Sequence, residues 1–168
     1  MTLDAMVLQK VGSWRPSGPG RQAFSISDPE SGWGIQLICD QQAELGIALW
    51  ELELRRSGVP VPEVNRALGL WAQHLSKVTS LTEPLHIVEI DQQRAQALIR
   101  SREPTPRDGE LLYYEILLDA DRGALVRRYR TGTPEARREQ RAFVLTHEAL
   151  ANLVGDIVSG LQIANRPD

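Results

Sequence analysis

The chain contains one cysteine, Cys39. That excludes an intramolecular disulfide framework and any multi-cysteine zinc or iron–sulfur centre. Lysine is almost as scarce, with Lys10 and Lys77 alone among 19 basic residues. Neither lysine follows glycine, so a phosphate loop ending in Gly-Lys-Ser/Thr is excluded, and no G-x-S-x-G elbow or G-x-G-x-x-G turn is present. No apolar run approaches the roughly 20 residues that span a bilayer. The longest candidate, 149–165, is interrupted by Asn152, Asp156, Ser159 and Gln162. The first residues lack a basic start followed by an apolar stretch, so no signal peptide is readable, and a cytoplasmic protein without membrane contact is expected.

What is present is ordinary globular composition: 168 residues, 42% hydrophobic and 24% charged, with a formal net charge of −3. The length suits one domain with its own core. The acid balance argues against a dedicated nucleic-acid binder, and the arginine excess is read as a biased base composition in the coding sequence.

Hydrophobic periodicity gives a coarse map. Residues 1–13 fit either a short helix or an edge strand. A Pro/Gly-rich loop covers 15–22, and Phe24-Ser25-Ile26-Ser27 alternates as a strand does. A hairpin is expected over 35–56, with arms 35–39 and 46–56 and with Ala48, Trp50, Leu52 and Leu54 on one face. Residues 62–79 form the clearest amphipathic helix, with Pro62 at its first position. Residues 85–90 read as a strand, after which Asp91 is expected to cap a short helix running to Arg100. The stretch 103–109 reads as a break in regular structure.

A second hairpin, 111–130, has a turn at 119–123. One register pairs Glu115 with Arg127, Tyr113 with Tyr129, Leu117 with Leu125 and Ile116 with Val126, so charge, aromatic and aliphatic partners all agree. Residues 141–145 read as a strand, and Thr146 is placed to cap a final amphipathic helix over 147–160. The expected fold is one α+β domain, a two-layer sandwich of a mostly antiparallel sheet covered by these helices, with less ordered ends.

Candidate chemistry is thin. His147-Glu148 resembles the start of a zinc-protease helix, but Ala151 stands where the second histidine is needed. Asp119-Ala120-Asp121 resembles a metal loop, yet Arg122 and Tyr129 occupy positions that a calcium loop gives to acids, and a tight strand connection uses Asp and Gly anyway. Cys39 ends an apolar run with no activating base beside it and reads as a buried thiol. No catalytic, cofactor-binding or metal-binding residue is assigned.

The Arg-rich segment 122–141 is balanced by the acidic arm 108–121, but Arg137, Arg138 and Arg141 lie beyond the hairpin. Together with Trp14 beside the open loop, they are the candidate partner contacts. His86, Tyr113, Tyr114 and His147 are the candidate lining of a ligand cleft. The leading functional expectation is a non-catalytic protein-interaction module of adaptor or chaperone type, or a self-associating homo-oligomer. Its alternative is a small-molecule binder or enzyme with a cleft between sheet and helices. Nucleic-acid binding through 122–141 ranks third.

Overall fold

The computed structural model describes residues 1–131 and 137–167. Helix α1 (Leu3–Ser13) leads into three strands, β1 (Gln22–Asp28), β2 (Trp33–Gln42) and β3 (Gly46–Arg56). Helix α2 (Val64–Leu75) follows. Five strands come next: β4 (Leu85–Asp91), β5 (Gln96–Ser101), β6 (Thr105–Arg107), β7 (Glu110–Asp119) and β8 (Gly123–Thr131). Two short strands, β9 (Glu139–Arg141) and β10 (Phe143–Thr146), deliver the chain to helix α3 (His147–Ala164).

Among the described residues, every strand joins one antiparallel sheet in the order β1-β2-β3-β8-β7-β5-β4, with β10 beside β3, β6 beside β7 and β9 beside β8. The α+β sheet-plus-helix architecture follows as the sequence leads one to expect. The helices cover one face. Leu37, Leu49, Leu52, Ile99, Ile116 and Val126 from the strands are buried with Val7, Leu68, Trp71, Leu150 and Ile157 from the helices. Buried Leu3, Val7 and Val11 recur every fourth residue of α1, which settles 1–13 as a helix docked on α3. Trp71 donates its indole N–H to the carbonyl of Ile157 at 2.9 Å. Gly160 permits that approach, because a Cβ there would lie 2.6 Å from the His74 ring and 3.0 Å from Trp71.

The second hairpin adopts the expected register: Tyr113 opposes Tyr129, Glu115 opposes Arg127 and Leu118 opposes Ala124. Four other elements differ from the sequence reading. Residues 91–100 form no helix. Asp91 accepts the backbone N–H groups of Gln93 and Arg94, Ala95 takes a left-handed φ of 53°, and the chain reverses into β5. The aspartate that resembles a helix cap instead closes a turn, a competition its short side chain allows.

Helix α2 is shorter than 62–79, because Glu63 sits at φ 47° and Pro62 lies ahead of the first turn. In β3, Cys39 pairs with Leu49 and Ile38 with Glu51, so Trp50 is an extra bulged residue. The bulge advances the pleat by one position. Ile47 and Leu49 before it and Leu52 and Leu54 after it therefore all point into the core, and Trp50 does not. Within 103–109, residues 105–107 add the short strand β6.

Candidate functional site

Strand pleating sends the residues between those core positions to the opposite face of the sheet, which no helix covers among the described residues. Gln36, Glu51, Glu53, Leu98, Arg100, Tyr113, Glu115, Leu117, Leu125 and Arg127 all lie there, opposed pairwise across the ladders. Its acids and bases are matched locally. Arg21 reaches Asp40 at 2.7 Å and lies over the Trp50 ring at 3.7 Å, and Arg127 reaches Glu51 at 2.7 Å. The bulge that turns Trp50 out of the core is thus what gives Arg21 its aromatic platform.

Glu115 is treated differently. Its register partner Arg127 turns away to Glu51, and Glu115 Oε2 accepts from two other guanidinium groups, Arg100 Nε at 2.9 Å and Arg138 Nη1 at 2.6 Å. One carboxylate oxygen therefore balances two cations, and the cluster retains a surplus positive charge. Both arginines also face aromatic rings, Arg138 over Tyr129 at 4.0 Å and Arg100 over Tyr113 at 5.7 Å. Burial opposes the charge on Arg138, but its contacts with Tyr113 and Glu115 outweigh it and hold the guanidinium above its ordinary pKa.

Arg100, Arg138 and Tyr113 line an open cleft of about 540 Å³ with His86, Val88, Ser101, Pro104 and Thr131. The Nδ1 atom of His86 is buried and, among the described residues, has no hydrogen-bond partner. The cleft can bind an anion between guanidinium donors while its aromatic and aliphatic walls take an apolar neighbour.

The expected cleft residues divide. His86 and Tyr113 do meet, on the open face. Tyr114 follows Tyr113 in the strand and points to the helix-bearing face, where it is buried against Phe143 with ring centroids 5.5 Å apart. Burial, with Glu83 nearby, raises its hydroxyl pKa. His147 lies elsewhere, 8% exposed at the start of α3, its Nε2 atom 3.3 Å from Gln42 Oε1. Gln42 in turn donates to the Val11 carbonyl at 2.6 Å. His147 thereby joins the ends of three elements.

The candidate partner contacts also separate. Arg138 belongs to the cleft, Arg141 lines a cavity on the other face, Arg137 is exposed, and Trp14 is half-buried against Phe24 with ring centroids 5.1 Å apart. Residues 132–136 of the Arg-rich segment lie outside the described residues.

Sequence reasoning passed over Arg100 because a helix was assigned to its segment. Once β5 is a strand, its alternation puts Arg100 beside Glu115. Cys39 is 2% exposed, and burial, reinforced by Asp40, pushes its thiol up to about 12. Asp119 closes its turn, its carboxylate accepting the backbone N–H groups of Asp121 and Arg122. Among the described residues, no three His, Cys, Asp or Glu side chains converge as a metal site, and no helix is long and apolar enough to cross a membrane.

No known family model, curated protein or solved structure matches the chain. The geometry of the open face is therefore what a functional reading has to work with.

Proposed function

We propose that this chain is a non-catalytic binding module that holds a protein partner on its open sheet face. The partner places a carboxylate side chain between Arg100 and Arg138 and an apolar residue against Tyr113 and Val88. The observation that carries this is the sharing of Glu115 Oε2 by the two guanidinium groups that line an accessible cleft. Tyrosine, tryptophan and arginine dominate binding hot spots, and this face concentrates all three. An adaptor or chaperone role in the cytoplasm belongs to this proposal. A second reading, a small carboxylic acid held in the same cleft, draws on the meeting of His86 and Tyr113.

Selection of a random peptide library on the immobilised chain tests both. Enrichment of acidic residues next to apolar ones, abolished by Arg138→Glu and retained by Arg55→Gln, supports the proposal. Enrichment that ignores acidic content, or that survives Arg138→Glu, sinks it. Failure of every peptide while small aromatic carboxylates bind in an Arg138-dependent way moves the reading to the small molecule. Light scattering decides self-association separately, a second copy being the partner if Arg138→Glu dissociates a dimer.

A further inference from the structure

A separate feature lies on the opposite, helix-bearing face. Arg107, Arg128 and Arg141 line one cavity of about 480 Å³, together with Tyr114, Leu112 and Phe143. Arg128 and Arg141 stand directly opposite one another in the β8–β9 ladder. Like charges in that position repel and destabilise the pairing unless an anion lies between them.

Arg128 is 9% exposed and rests 4.1 Å above the Tyr114 ring. Its Nη2 atom approaches Glu83 Oε2 at 2.8 Å, and among the described residues its Nη1 atom and both Glu83 carboxylate oxygens are buried with no hydrogen-bond partner. A buried charged donor left unmade is costly, and an acceptor entering from the cavity that Arg128 lines would satisfy it. Arg107 and Arg141 are exposed and, among the described residues, neither forms an ion pair within 4 Å, although the charge of Arg141 is felt by Glu139. Two acids also border the cavity. Glu110 is taken by Arg130, and Asp108, at φ 50° in the β6–β7 turn, limits the surplus charge without cancelling it.

We infer that this cavity is an oxyanion site, in which a phosphate or carboxylate group bridges Arg107 and Arg141 above Arg128. It is independent of the partner surface, since the two lie on opposite faces of β7 and β8. Tyr114 and Phe143 supply an aromatic wall beside the anion, so the group is expected on an organic ligand or a modified side chain.

Calorimetric titration at constant ionic strength, with inorganic phosphate in one arm and acetate in the other, tests it. Saturable phosphate binding is expected. Arg141→Gln and Arg107→Gln should each weaken it at least about tenfold, the scale of one charge-assisted hydrogen bond. Arg55→Gln, on the open face and outside both linings, should leave it unchanged. Binding of phosphate but not acetate identifies a phosphoryl group as the natural ligand's handle, and binding of acetate with the same arginine dependence identifies a carboxylate. Absence of saturable binding by either anion, or an affinity that Arg141→Gln and Arg107→Gln do not alter, overturns the site. Both arginines are exposed, so these variants test binding without touching the core.

Discussion

Gly123 begins β8 at φ 136°, and a Cβ there would lie 1.9 Å from the Leu54 carbonyl oxygen. Both the backbone angle and the close approach of β3 reserve the position for glycine. Gly123→Ala is expected to cost more than about 2 kcal/mol of stability, measured by urea unfolding. A wild-type midpoint would show that the strand shifts at no cost. Cys39 makes a prediction in pH. Its thiol ionises near 9.0 when unfolded and is pushed to about 12 by burial when folded. The native state therefore retains a proton that the unfolded state loses, and stability from this group declines as pH rises from 9 towards 12. Cys39→Ala should flatten that decline. The native thiol should also resist alkylation at pH 8 until denaturant is added, and rapid labelling of the folded chain would contradict its placement.

At the scale of elements, the helix starts were legible to different degrees. Thr146 caps α3 as the sequence suggests, its Oγ1 accepting from Ala149 N at 3.0 Å, and Thr146→Ala should lower stability by about 1 kcal/mol. An unchanged midpoint would mean that water replaces the cap at no cost. Asp91 carries the same kind of signal yet closes a turn, because a cap and a side-chain-closed turn use one carboxylate in nearly the same local geometry. What decides between them is non-local: Ile99 has to pair with Ile87 and Ile116 in adjacent strands. That misreading hid Arg100, and with it half of the cleft. Trp50 was hidden by a bulge, which leaves no residue-type signature and reverses every inside-outside assignment on one side of it. The second hairpin was readable because three kinds of cross-strand pair agreed on a single register. The cleft was readable only in part, since Arg138 reaches Glu115 from a different strand connection.

For the whole molecule, the outer strands of the sheet are the edges at which a further strand can add, and β4 is one of them. Among the described residues β4 is paired on one side only, and it carries a bulge at Val88 with Glu89 and Asp91 beside it. Irregular geometry and charge are the usual guards of such an edge. Val88 and Ile90 are exposed there, so the guard rests on few residues. Glu89→Val is expected to raise the average molar mass seen by light scattering, increasingly so with protein concentration. A mass equal to wild type at every concentration would assign the protection to the bulge alone.

One flank of β3 is completed by two strands that arrive late: β8 covers Leu52–Arg55, and β10 covers Gly46–Leu49. A nascent chain leaving the ribosome therefore carries the first half of β3 with bare backbone amides and carbonyls until residue 146 has been made. Vectorial synthesis cannot finish this sheet in stages, so the native topology closes only once β10 has been made, and a stalled product ending before Phe143 would emerge with a sticky seam at its centre.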